Sequence, residues 1–203
     1  MECPFCNAPK LREEILEKTK NFFVMPALGA FVPYYILIIS QEHHNALHAV
    51  LTDKKINLEF ELLKKKIQSF IKNRTNCKSI ISFEHGGGNN NKAGCCVGHT
   101  HLHILPHDQP LRPAIEKQLG KAEKIKNYSA LNKLYKKNLD NYLLLEENDK
   151  IYLWRNPPIL SQYMRRLIAK QIKQEPLYDW QKHPFYENME QTIRDWKSFF
   201  RSA

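Results

Sequence analysis

Hydrophobic and polar positions follow two rhythms along this chain of 203 residues. Residues 21–25 and 34–39 are short, apolar, aromatic-rich runs, with Pro26, Gly29 and Pro33 between them, and they read as two strands joined by a turn. Thr52 offers an N-cap. After it Ile56, Phe60, Leu63, Ile67, Phe70 and Ile71 recur at helical spacing with lysines opposite, which predicts an amphipathic helix. Residues 79–84 predict another strand. It runs into Gly86-Gly87-Gly88-Asn89-Asn90-Asn91 and is followed by a strand over residues 96–105 that stops at Pro106. The loop of about ten residues between these two strands points to a hairpin. A weaker helical pattern covers residues 10–18, with Leu11, Ile15 and Leu16.

Residues 1–110 therefore read as an α+β unit with an antiparallel sheet. Residues 111–203 read as a mainly helical extension. Residues 113–139 are lysine-rich and helical in pattern, and residues 141–145 and 150–154 form a strand pair around Glu146-Glu147-Asn148-Asp149. Residues 160–174 and 185–200 are two further helices, the last with Ile193, Trp196 and Phe200 facing inward. Tyr178, Trp180, Trp196, Phe199 and Phe200 need burial, so this extension is expected to pack on the first unit.

The composition, 42% hydrophobic, supports a real core. A formal net charge of +10 favours anionic partners such as nucleotides or nucleic acid, or else reflects a solvated lysine-rich surface. Five cysteines, with Cys95 and Cys96 adjacent, make a poor disulfide framework and suit a reducing, cytoplasmic setting. Met1-Glu2-Cys3-Pro4 lacks the basic and apolar regions of a signal peptide. The longest apolar stretch, around residues 31–39, is too short to span a bilayer, so no membrane association is expected.

The chemistry concentrates in His99-Thr100-His101-Leu102-His103-Ile104-Leu105. On a strand, successive side chains alternate faces, so His99, His101 and His103 are expected on one side. A neutral imidazole can attack phosphorus and split one hard displacement into two easier ones, and three imidazoles on one face can also bind a metal. Cys3-Pro4-Phe5-Cys6 has the spacing of a zinc knuckle that needs two more ligands, with a redox pair as the rival reading. His43, after the residue 34–39 strand, and His99 are available, and His44 stands one residue from His43. In Phe83-Glu84-His85-Gly86, Glu84 or His85 could orient an imidazole or contact a nucleotide, while the glycines that follow offer close backbone N–H donors. Ser161 or Gln162, near a helix start, could meet a phosphate. Arg165 and Arg166 could clamp one or could lie on a solvated helix face.

The segment Ala93-Gly94-Cys95-Cys96-Val97-Gly98-His99-Thr100-His101-Leu102-His103-Ile104-Leu105-Pro106 resembles the signature of the histidine triad (HIT) superfamily of nucleotide hydrolases and transferases. Asn21-Phe22-Phe23-Val24 and residues 33–42, followed by His43, are similar to the family's paired strands. The resemblance covers about the first half of the chain. It implies that His101 is the nucleophile, that His103 supports the phosphate site, and that Cys3, Cys6, His43 and His99 hold a structural zinc ion. Phe83-Glu84-His85-Gly86 and residues 157–166, with Asp179-Trp180, look like a longer-chain branch of the superfamily.

The chain departs from the family pattern in three places. Cys95, with Gly94 beside it, stands where many members have a glutamine that holds the transferred phosphate. Tyr34-Tyr35 stands where many have Gly-His, and Ala27 falls near the residue that usually grips the ribose. The expectation is a nucleotide hydrolase or transferase working through a nucleotidyl-His101 intermediate, on a dinucleoside polyphosphate or nucleoside phosphoramidate. Its substrate contacts would come from Glu84, His85, Gly94, Cys95 and Gln162, and it would need no organic cofactor. The alternatives are a nucleotide- or RNA-binding module and a nucleotidyltransferase to a sugar phosphate. The RNA reading gains weight if Lys117, Lys121, Lys124, Lys126, Lys133, Lys136 and Lys137 form one stripe on a helix over 113–139. Monomer and homodimer are both compatible with the sequence.

Overall fold

A single antiparallel sheet divides the protein into two cores, and the period-two alternation of its strands decides which core each side chain joins. The computed structural model describes residues 3–6, 13–87, 97–135 and 141–201. Among these, the strands are β1 (Glu17–Lys18), β2 (Phe22–Pro26), β3 (Ile36–Ser40), β4 (Ile80–Gly86), β5 (His101–Pro106), β6 (Glu123–Ile125), β7 (Tyr142–Glu147) and β8 (Lys150–Arg155). They form one eight-stranded sheet in the order β1-β2-β3-β5-β4-β7-β8-β6, with every pairing antiparallel. The expected α+β class and the hairpin between β4 and β5 are both present. β7, from the second half of the chain, pairs with β4, from the first.

Among the described residues six α-helices accompany the sheet: α1 (Leu47–Val50), α2 (Lys54–Arg74), α3 (Arg112–Leu119), α4 (Ala130–Tyr135), α5 (Tyr163–Gln171) and α6 (Tyr186–Arg201). On one face Phe22, Val24, Ile36, Ile38, Leu102, Ile104 and Leu144 pack against Phe60, Leu63, Ile67 and Phe70 of α2 and Trp196 of α6. On the other face Phe23, Met25, Leu37, Ile39, Ile81, Phe83, Leu143 and Leu145 pack against Ile115 of α3 and Met164 and Ile168 of α5. β2, β3 and β7 are buried along their whole length, which is why they read as continuous apolar runs and not as alternating ones. No helix among the described residues is long and apolar enough to cross a membrane.

Four expectations need correction. The cap of α2 is Asp53, not Thr52, because the Asp53 carboxylate reaches the N–H groups of Lys55 and Ile56. Residues 13–18 are not helical. Leu16 N–H donates to the Val24 carbonyl, and Glu17 and Lys18 pair with β2; residues 10–12 lie outside the described residues. The lysine-rich stretch is not one helix. Gly120, at φ +81°, closes α3, and Glu123–Ile125 then pairs with β8 as an edge strand. Lys117, Lys121, Lys124, Lys126 and Lys133 are exposed but spread over α3, a turn, β6 and α4, while Lys136 and Lys137 lie outside the described residues. Finally, β5 begins at His101 and not near residue 96, since residues 97–99 form a bend.

One buried ion pair joins the central sheet to α2. Lys64 Nζ donates to both carboxylate oxygens of Glu146, at 2.8 and 2.9 Å, and Tyr128 Oη donates to the same carboxylate at 2.7 Å. Lys64 and Glu146 are only 5% and 8% exposed. Removing one partner strands a charge inside the core. Lys64→Ala is expected to destabilise the fold by about 3–5 kcal/mol in denaturant unfolding, and the double variant Lys64→Met/Glu146→Leu to recover most of that loss. Equal stability of Lys64→Ala and wild type would contradict this.

Candidate active site

His101 and His103 project from β5 to the face that carries Phe83 and Leu37, while Leu102 and Ile104 enter the opposite core. Their rings lie 4.7 Å apart. His101 Nδ1 is 2.6 Å from the backbone carbonyl of His99. A carbonyl only accepts, so Nδ1 carries the proton and donates it, and the lone pair is left on Nε2. Burial holds this imidazole neutral, its pKa pushed down to about 4. His103 stacks on Phe83, with centroids 4.4 Å apart and planes 11° from parallel, and its Nδ1 shares a hydrogen bond of 2.9 Å with Tyr35 Oη. Burial also drives the His103 pKa well below its ordinary value.

His99 lies in the bend before β5 and turns elsewhere. Its Nε2–H donates to the Ser40 carbonyl at 2.8 Å, which presents Nδ1 to Cys3 Sγ at 3.4 Å and Cys6 Sγ at 3.6 Å. His43 Nδ1 is 3.2 Å from Cys6 Sγ. The four ligand atoms of Cys3, Cys6, His43 and His99 all lie within 4.8 Å of one another. Two thiols and two imidazole nitrogens at these separations fit a tetrahedral ion, and the Ser40 carbonyl fixes the His99 tautomer that such an ion needs. The cluster could therefore hold a metal ion. His44 does not join it. The His44 carbonyl accepts from Thr100 N–H and Oγ1–H, which ties the loop after β3 to the start of β5.

A cavity of about 270 Å³ opens beside the two histidines. His101, His103, His85, Phe83, Leu37, Val97 and Met25 line it from the sheet and its bends, Pro4 and Phe5 from the knuckle, and Gln162, Arg165, Trp180 and Tyr186 from the second half of the chain. Most of its wall is apolar. Phe5 meets the His99 and His101 rings edge-on at 5.7 and 5.4 Å. Gly29 is needed where it stands. Its φ is +72°, and a Cβ there would fall 2.3 Å from Trp180 Cβ, so only glycine lets the Trp180 segment close over the β2–β3 turn.

The residues expected to contact substrate divide by strand face. His85 lines the cavity, its Nε2 is buried without a hydrogen-bond partner, and burial beside His101 pushes its pKa down to about 3. Gln162 also lines the cavity, with its Oε1 buried and unpartnered. Glu84 does not. As the neighbour of His85 on β4 it faces the opposite core, where it accepts from Leu47 N–H at 2.9 Å and from Tyr142 Oη–H, and burial raises its pKa to about 8. Its expected place at the substrate is corrected accordingly. Gly94 and Cys95 lie outside the described residues. Phe5, Trp180, Tyr186 and Glu14 line the cavity without having been expected there, and Arg165, for which a phosphate clamp and a solvated face were both open, lines it too. Arg165 did carry a signal: it sits with Met164, Ile168 and Ala169 on the buried face of α5, where a solvated arginine does not belong.

No family model matches the chain, and no curated protein matches it. Solved structures do. A HIT family protein from Bacillus anthracis is 21% identical over 53% of this chain and 74% of its own, with a TM-score of 0.44. A hypothetical histidine triad nucleotide-binding protein from Sulfolobus tokodaii is 18% identical over 66% of this chain and 90% of its own, with a TM-score of 0.41. Yeast Ap4A phosphorylase in complex with AMP is 14% identical over 74% of this chain and 62% of its own, with a TM-score of 0.45.

Zn²⁺ titrated into metal-free protein is expected to fill one tight site per chain, measured against a chromophoric chelator, and Cys3→Ser/Cys6→Ser to remove that site. A wild type that takes up no ion, or a double variant that binds as well, would contradict the four-ligand cluster.

Proposed function

We propose that the protein is a nucleotidyl-transferring enzyme that uses His101 as its nucleophile and water as the final acceptor. The observation that carries this reading is the 2.6 Å bond from His101 Nδ1–H to the His99 carbonyl, which leaves the Nε2 lone pair on a ring lining the cavity. The triad resemblance in the sequence supports the same assignment. In the first step Nε2 forms a bond to the α-phosphorus of a nucleotide while the bond from phosphorus to the leaving group breaks, its electron pair departing with that group. In the second step a water oxygen bonds to phosphorus, the N–P bond returns its electron pair to Nε2, and a proton passes to solvent. The substrate is of the dinucleoside polyphosphate or nucleoside phosphoramidate class, and the apolar walls from Phe5, Met25 and Trp180 suit a stacked base.

His103 and His85 would meet the phosphoryl oxygens in this reading. Stacking on Phe83 and the bond to Tyr35 fix the first, and the second lines the cavity with its buried Nε2 unpartnered. The ion at Cys3, Cys6, His43 and His99 would be zinc, to judge from its thiol and imidazole ligands, and structural, since four protein ligands close its shell. Cysteines that serve as ligands suit a reducing, cytoplasmic setting.

His101→Ala is expected to lower turnover of a dinucleoside polyphosphate by about 10³-fold or more, as loss of a covalent nucleophile does, with an unchanged far-UV spectrum and melting temperature. Turnover within a few fold of wild type by the folded variant would remove His101 from the mechanism.

A further inference from the structure

Nucleotidyl transfer at His101 makes no use of Arg165, the one buried cation of the cavity wall among the described residues. Arg165 is 5% exposed. Its Nε donates to the Tyr178 carbonyl at 2.7 Å and its Nη2 to the Gly29 carbonyl at 2.6 Å. Its guanidinium lies over the Phe31 and Tyr35 rings, 4.8 and 5.7 Å from their centroids. The two carbonyls take two of its five N–H donors and the Tyr35 hydroxyl interacts with the guanidinium as well, but none of these neutral groups cancels the charge. Among the described residues no carboxylate lies within ion-pair distance of it, whereas buried Lys64 has both Glu146 and Glu61. A charge withdrawn from water without a counter-ion is costly, and a cavity-lining cation of this kind is an anion site.

The position within the cavity is also defined. Arg165 stands over Tyr35, whose hydroxyl bonds His103, so it lies on the Tyr35–His103 side and not at the His99 end of the strand. Gln162 comes from the same segment. It holds a left-handed backbone, φ +62°, which a glutamine adopts only under constraint; the residue lines the cavity, and its Oε1 is buried and unpartnered. Rotation of the amide by half a turn would present its NH₂ to an anion instead.

We infer that Arg165 and Gln162 form a second phosphate subsite, so that the substrate is a nucleotide bearing a second phosphate besides the one attacked by His101. The inference rests on the nucleotidyl reading of the His101 cavity. The second phosphate can belong to a 5′-phosphoanhydride chain or to the ribose of the same nucleotide.

Calorimetry separates these cases. The ligands are the 5′-monophosphates of the four ribonucleosides, their uncleavable α,β-methylene diphosphates, and their 3′,5′-bisphosphates, tested on wild type, Arg165→Gln and Gln162→Ala. For at least one base, one of the two doubly phosphorylated ligands is expected to bind wild type about tenfold or more tighter than the monophosphate. Which one it is identifies the source of the phosphate. Arg165→Gln is expected to erase that preference and leave monophosphate affinity within about twofold, and Gln162→Ala to reduce it. If neither doubly phosphorylated ligand outbinds its monophosphate on wild type, the subsite is wrong even where Arg165→Gln does not fold. A folded Arg165→Gln that weakens monophosphate and doubly phosphorylated ligands alike, or that only melts at lower temperature with affinities unchanged, overturns it as well. If no monophosphate binds at all, the nucleotidyl reading itself fails and this inference fails with it.

Discussion

His99 is the residue through which both halves of the site are positioned. Its side chain is fixed by the Ser40 carbonyl and offers Nδ1 to the Cys3, Cys6 and His43 cluster. Its own carbonyl accepts a hydrogen bond from His101 Nδ1–H and so decides which nitrogen of that ring keeps a lone pair. One bend in the chain therefore ties the N-terminal knuckle to the tautomer of the proposed nucleophile. Phe5 adds a second tie, with its ring edge-on to both histidines and lining the same cavity. An ion in the cluster would hold Phe5, His99 and His101 in one arrangement, which gives a site outside the proposed chemistry a mechanical part in it.

The sheet contributes the rest by keeping two chemistries apart. Charged groups on one face are satisfied internally, Glu84 by Leu47 and Tyr142 and Glu146 by Lys64 and Tyr128. On the other face the cavity-lining residues are less fully satisfied: His85 Nε2 and Gln162 Oε1 are buried without hydrogen-bond partners, and Arg165 lacks a counter-ion among the described residues. The second half of the chain takes part in both. It extends the sheet through β7, β8 and β6, and it supplies Gln162, Arg165, Trp180 and Tyr186 to the cavity.

Much of the fold was legible because it is local. The apolar runs of β2 and β3 and the helical spacing from Ile56 to Ile71 each specify an element without reference to the rest. What failed depended on distant pairing. Lysines at 117–126 favour a helix, but Gly120 and pairing of Glu123–Ile125 with β8 decide otherwise. Glu84 and His85 are neighbours on a strand, so only one can face the cavity, and the choice follows from the register that sets Phe83 opposite His103. Arg165 reaches the site from a helix more than a hundred residues after the Gly29 carbonyl it binds, a contact that local sequence does not encode.

The account turns on a covalent bond between His101 and a nucleotide, and intact mass spectrometry of enzyme denatured in alkali during turnover of a dinucleoside polyphosphate tests it most directly. The account predicts a mass increase of one nucleotidyl group, mapped by digestion to the peptide that contains His101 and absent from His101→Ala. Rapid turnover with no adduct at any quench time, or an adduct on another residue, would contradict it.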